Sequence, residues 1–153
     1  MKIKSILFPT DFSEGSAQAI PFVSDLTRHY GAKLYVVHVV YDVASAAGWY
    51  VPHVNMDEMY KEIEMNAKKE LEKCCVEELR GYKDIEYKIL KGVPHEEILR
   101  FADANSVAMI VIGSHSRKGL DRVIFGSTAE RVVRHAHCPV LTVGLPAHHA
   151  AKK

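Results

Sequence analysis

Residues 107–113, VAMIVIG, form an uninterrupted apolar run closed by glycine. A strand without polar side chains on either side must be covered on both faces, as in the centre of a parallel sheet. SILFP, residues 5–9, has the same character and is ended by Pro9. KLYVVHVV, residues 33–40, is valine-rich and also reads as a strand. DIEYKILKG alternates, with Ile85, Tyr87 and Ile89 set against Glu86 and Lys88, which suits an edge strand. PVLTV, residues 139–143, comes last.

Helical spacing fills the intervals. Between Glu14 and Tyr30 the apolar positions Ala19, Val23, Leu26 and Tyr30 predict one helix, with Gly31 as its C-terminal cap. Met56 to Tyr82 predicts a long amphipathic helix whose stripe is Tyr60, Ile63, Ala67, Leu71, Cys74 and Leu79. Pro94 opens PHEEILRFADAN. GSTAERVVRHAH places Ala129, Val132, Val133 and Ala136 on one face. YDVASAAGWYVPHVN has no period and reads as a loop.

Strands and helices therefore alternate throughout. That order predicts an α/β, Rossmann-like fold: a doubly wound, five-stranded parallel sheet with helices on both faces, joined by right-handed crossovers. One domain is expected over residues 1–145, with a flexible tail at 146–153. A chain of 153 residues, 48% hydrophobic and 25% charged, can supply such a core. Its net charge of +1 gives no footprint for nucleic acid or an anionic membrane. No apolar run reaches the ~18 residues of a membrane span, and MKIKSILFPTDF does not read as a signal peptide. Three cysteines, two of them adjacent, do not make a disulfide framework. A cytoplasmic location is expected.

Ligands of open doubly wound sheets bind beyond the carboxyl ends of the strands, where strand order reverses. Two segments are expected there. In PTDFS, Pro9 to Ser13, Asp11 either accepts from a ribose diol or caps the following helix. The second is IGSHSRKGLDRVIFGST, Ile112 to Thr128. Gly113 permits close approach to the backbone. STAE, Ser127 to Glu130, has capping-box spacing. Gly126, Ser127 and Thr128 open a helix whose free N–H groups favour phosphate. Arg117, Lys118 and Arg122 can add charge from the loop. The alternative is a capped helix after a solvated surface loop. The segment is neither a Walker A loop nor a dinucleotide fingerprint.

These segments carry a resemblance. ILFPTDFSEGSAQAI, KGVPHEEIL and GSTAERVVRHAHCPVLTV together resemble the universal stress protein family over nearly the whole length. The resemblance implies strand order 3-2-1-4-5, a homodimer through strand five (Pro139 to Val143), and ATP as ligand, with Mg2+ or Mn2+ as companion ion. The family's nucleotide-binding branch carries Gly, two residues, Gly, nine residues, then Gly-Ser or Gly-Thr. Gly113 fills the first place, and Gly126 with Ser127 the last. Ser116 stands where the middle glycine belongs. If that position needs positive φ, serine costs about 1 kcal/mol there, although its hydroxyl can donate to phosphate. By similarity, Pro9, Thr10 and Asp11 border the adenosine, Val39 lines the adenine, and Ile112 and Gly113 flank the nucleotide. Ser116, Gly126, Ser127 and Thr128 face the phosphates, beside the charge that Arg117 can add from the loop.

The dimer has a basis in the residues as well. PVLTV is apolar, uncharged and expected at a sheet edge, and soluble proteins cover such edges. The alternative cover is the chain's own tail. Other signals are weaker. His115 lacks a nucleophile elbow. HAHC, His135 to Cys138, lacks a second ligand pair and reads as the end of a helix. Trp49 and Tyr50 anchor a loop or join a surface. The expected function is an ATP-binding, dimeric stress-response module whose nucleotide state is read by a protein partner. Slow ATP hydrolysis ranks second, because no water-activating residue is evident. A nucleotide-free interaction module ranks third.

Overall fold

The apolar runs are central because each is paired on both edges. In the computed structural model, which describes residues 2–42, 56–114 and 126–144, strand β1 (Ser5–Pro9) lies between β2 (Lys33–Tyr41) and β4 (Met109–Gly113). β3 (Ile85–Gly92) pairs outside β2, and β5 (Val140–Val143) outside β4. The result is a five-stranded parallel sheet in the expected order 3-2-1-4-5. All five residues of β1 are buried, whereas those of β3 are half-buried or exposed, as its alternating sequence requires.

Two helical layers cover the sheet. α2 (Ile20–Tyr30) and α3 (Met56–Lys73) lie on one face. Val23 and Leu71 pack there against Ile6, Phe8 and Val36. α4 (Pro94–Ala104) and α5 (Ser127–His135) lie on the other, where Ile98 and Val132 meet Leu7, Val37 and Ile110. Successive β1 residues thus serve opposite cores, which is the period of a strand. Gly31 ends α2 at φ 58°, and its N–H returns to the helix, as a left-handed cap should. Pro94 stands in the first turn of α4.

Two expected helices are broken. The Glu14–Tyr30 helix divides into α1 (Glu14–Ala17) and α2, with Ala19 at the junction. Pro21 has no N–H to give the Ala17 carbonyl, so the ladder stops and restarts. The Met56–Tyr82 helix ends at Lys73, and turns carry the chain to Tyr82. There the Val76 N–H bonds the Lys73 carbonyl, three residues back. That tighter turn shifts the phase of the stripe. Cys75, rather than Cys74, becomes fully buried, and Ile63 on α3 stays 41% exposed. Tyr82 and Arg28 tie the turns down, donating to the carbonyls of Ala32 (2.7 Å) and Arg80 (2.9 Å).

Among the described residues no helix is long and apolar enough to cross a membrane. The loop expected over 41–55 starts later, since Tyr41 ends β2; its residues 43–55, with Trp49 and Tyr50, and the tail at 146–153 lie outside the described residues.

Candidate functional site

β1 runs into α1, which leads to the α2–α3 face, whereas β4 feeds α5 on the opposite face. Departure toward opposite faces opens a crevice between the carboxyl ends of these two neighbours. A cavity of about 220 Å³ occupies it. Val39, Ile98 and Ile112 give it apolar walls, and Asp11, Ser114, Ser127 and Thr128 give it polar ones.

The turn after β1 is held by a directed hydrogen-bond chain. Ser16 donates to the Ser13 carbonyl at 2.9 Å. Its proton is thereby used, so Thr10 is the donor in the 3.0 Å contact between the two hydroxyls. Thr10 Oγ1 in turn accepts the Phe12 N–H at 3.1 Å. These bonds sustain a left-handed backbone at Phe12, φ 61°, which costs a non-glycine residue about 1–2 kcal/mol. The Phe12 ring stacks on His38, with centroids 4.4 Å apart. His38 Nδ1 lies 2.8 Å from the Thr10 carbonyl. A carbonyl only accepts, so Nδ1 carries a proton and the ring orientation is fixed.

Asp11 is exposed at the rim. Its Oδ1 accepts from both the N–H and the hydroxyl of Ser13. Ser13 itself caps α1, accepting the Ser16 N–H at 3.2 Å. The capping role that the sequence left open for Asp11 is therefore taken by Ser13, and Asp11 Oδ2 has no partner among the described residues.

The second segment differs from its expected detail. Gly126, not Ser127, is the N-cap of α5, and no side chain caps it. The STAE capping box does not form, because Ser127 is already helical and its hydroxyl cannot serve the third N–H beyond it. The Glu130 N–H is the first to close a helical bond, to the Gly126 carbonyl. The N–H groups of Ser127, Thr128 and Ala129 have no partner among the described residues. Gly126 donates to the Ser114 carbonyl at 2.6 Å, which draws the start of α5 onto the end of β4.

The two site glycines have different physical roles. A Cβ on Gly113 would stand 2.5 Å from the Gly15 carbonyl oxygen, so α1 itself requires glycine there. Close ligand approach is not needed to explain it. A Cβ on Gly126 would lie 3.3 Å from the Ser114 carbonyl oxygen. That contact is tight, and φ at Gly126 is −69°, which any residue adopts.

Pro9, Thr10, Asp11, Val39, Ile112, Gly113, Gly126, Ser127 and Thr128 all line the one cavity. Ser116 and Arg117, with Lys118, Arg122 and His115, lie outside the described residues. Sequence reasoning missed Ser16, His38, Ser114, Ala129, Pro94 and Ile98. The first four adjoin predicted positions or helices and were within reach. Pro94 and Ile98 belong to a helix whose own pattern says only which side is apolar. Outside the cavity, HAHC splits between separate partners: His135 Nδ1 donates to the Arg131 carbonyl at 2.9 Å, and His137 lies 3.2 Å from Asp103.

The sheet order, the layers and the crevice at the strand reversal define a doubly wound α/β protein with a ligand-sized opening at its switch point. The chain belongs to the universal stress protein family, whose model matches residues 2–144. It is 36% identical to universal stress protein MJ0531 of Methanocaldococcus jannaschii, over 94% of this chain and 83% of that one. It is 32% identical to universal stress protein YxiE of Bacillus subtilis, over 90% and 97% of the two chains. Among solved structures, MJ0577 of M. jannaschii superposes with a TM-score of 0.81 at 28% identity, covering 95% of this chain and 98% of that one. An Archaeoglobus fulgidus universal stress protein in complex with dAMP shares the fold, with a TM-score of 0.57 at 24% identity over 93% and 98% of the two chains.

Proposed function

We propose that this universal stress protein binds ATP in the crevice between β1 and β4. The observation that carries the reading is one cavity lined both by an exposed, half-unpartnered carboxylate and by an uncapped helix N-terminus. A nucleoside triphosphate has the matching groups: a diol to donate to Asp11, and phosphates to accept from the start of α5. Val39 and Ile112 flank the base. Pro9 and Thr10 border the adenosine, and Gly113 flanks it. Gly126, Ser127 and Thr128 receive the phosphates, joined by Ser116 and Arg117, with Mg2+ or Mn2+ accompanying them. Asp11 is the one carboxylate lining the cavity among the described residues and already serves Ser13. This favours binding over hydrolysis, and a nucleotide-dependent signal over an enzymatic product.

The test is calorimetric titration with Mg-ATP after unfolding and refolding the protein to strip any carried nucleotide. Micromolar affinity is expected, about −8 kcal/mol. The absence of both heat and a thermal shift at millimolar ATP would rule the site out.

The same reading includes a homodimer through β5. The strand ends the sheet, and among the described residues its outer edge pairs with nothing. Val140, Leu141 and Thr142 are only half-buried, and none of them carries a charge to discourage pairing. Antiparallel pairing with a two-fold mate satisfies both edges. Val140 packs with the α4–α5 core and Leu141 with the other, which puts Thr142 on the side of Val140. Sedimentation tests this: the parent should run as a dimer and Thr142→Lys as a monomer, with circular dichroism checking that a lysine on this half-buried, helix-covered side leaves the variant folded. A parent that is monomeric at tens of micromolar ends the idea.

A further inference from the structure

The turns after α3 hold a feature that neither the nucleotide crevice nor the β5 edge uses. Cys74 and Cys75 are adjacent in sequence, and their sulfurs lie 3.3 Å apart. The two thiols sit in different surroundings. Cys75 is fully buried, packed among the core residues that include Leu71 and Leu79. Cys74 is half-buried at the edge of that core. The backbone also changes character here, because regular helix ends at Lys73 and the Val76 N–H reaches back only three residues. Side chains one position apart on a regular helix diverge by about 100°, and leaving the helix is what lets these two meet.

We propose that Cys74 and Cys75 form a peroxide-reactive thiol pair that closes to a disulfide between neighbouring residues. The Cys74 sulfur attacks a hydroperoxide oxygen. The O–O bond breaks, one oxygen stays on sulfur as sulfenic acid, and the other leaves as water or alcohol. The Cys75 sulfur then attacks the Cys74 sulfur, the S–O bond breaks, and a second molecule of water departs. Overall two thiols lose two electrons and two protons, and the peroxide takes both.

The division of labour follows from the environments. The hydrogen-bonding contact between the two sulfurs holds the Cys74 thiol below its ordinary range despite burial and the opposing charges of Glu78 and Glu70. The same contact, with burial, pushes the Cys75 thiol far up. The more exposed sulfur is thus the readier thiolate, and the buried one resolves it without meeting solvent. Cys138 has no such neighbour among the described residues, and burial raises its thiol.

Intact-mass and thiol measurements on the full chain treated with hydrogen peroxide test this. The parent should lose the mass of two hydrogens, lose two titratable thiols of three, and regain both with dithiothreitol. Cys74 should react faster than Cys138, whose thiol burial raises. Cys75→Ala should instead gain one oxygen at Cys74, trapped by dimedone, and Cys74→Ala should stay unmodified over the same interval. Circular dichroism confirms that each variant is folded. Should either variant unfold, peptide mapping of the parent still decides the matter through the 74–75 linkage. A parent that gains oxygens at Cys74 without closing the link, joins to a second chain, or reacts first at Cys138 overturns the proposal.

Discussion

Two places at the carboxyl end of the same sheet have opposite characters. Beyond β2 and β3, polar groups consume one another. The Tyr60 hydroxyl donates to Asp42 at 2.9 Å, Lys91 Nζ lies 3.6 Å from the same carboxylate, and that ammonium sits 3.9 Å from the centre of the Tyr60 ring. Gly92 is covered by Glu97, whose side chain would meet a Cβ there at 2.7 Å. Beyond β1 and β4, polar groups are equally abundant, but several face an opening and have no described partner. The first region has the stronger charges, and its described groups are spent on one another. The second has little charge among its described residues, but it has space, apolar walls and unmatched hydrogen-bonding groups. Capacity to bind comes from what is left unmatched beside a cavity, not from charge density.

The largest effect that breaks this contrast should come from Gly113→Ala. Its methyl meets backbone at Gly15 rather than a side chain that can swing away. A loss of about 3 kcal/mol in denaturant unfolding is expected, at the upper end for overpacking, together with loss of ATP binding as α1 moves. Stability equal to the parent would show that α1 is not seated on β4. Gly126→Val comes next and should act chiefly on the ligand, with a small cost from the 3.3 Å approach of its Cβ to the Ser114 carbonyl oxygen. Its side chain enters the phosphate path while φ stays permissible. Calorimetry should show ATP affinity falling at least about tenfold, or ~1.4 kcal/mol, with the unfolding midpoint little changed. Intact affinity would place the phosphates elsewhere.

Tyr60→Phe removes one bond from the closed region and should cost about 1 kcal/mol of stability. ATP affinity should stay within about twofold, since none of Tyr60, Asp42 and Lys91 lines the cavity. A tenfold loss of affinity would mean that the two regions act together. The smallest effect lies outside both. Thr27 is fully buried in α2, and its hydroxyl has no hydrogen-bond partner among the described residues. Thr27→Val should therefore raise stability by about 0.5–1 kcal/mol, read as a higher melting temperature. A decrease would reveal a partner for that hydroxyl.

Sequence alone determined the elements whose cause is local or periodic. Two uninterrupted apolar runs forced a parallel sheet with both faces covered, and the alternation of β3 marked it as an edge. Gly31 and Pro94 fixed one helix end and one helix start through φ and a missing N–H. Much of the crevice was legible as well, because loops after β1 and β4 must meet wherever strand order reverses. Pro21 was readable and was overlooked: its effect on the Ala17 carbonyl is local chemistry. Tertiary structure decided what depends on surfaces meeting across the chain. The 3.6-residue period cannot show that turns after Lys73 rotate Cys75 into the core and bring its sulfur against Cys74. Neither can it show that Pro94 and Ile98 wall the crevice from a helix begun on the far strand. Gly113 is the sharpest instance. In the sequence it looks like a place for a ligand. In the fold its missing side chain is first occupied by the backbone of α1, because a parallel sheet brings the first helix over the fourth strand and leaves 2.5 Å where a Cβ would stand.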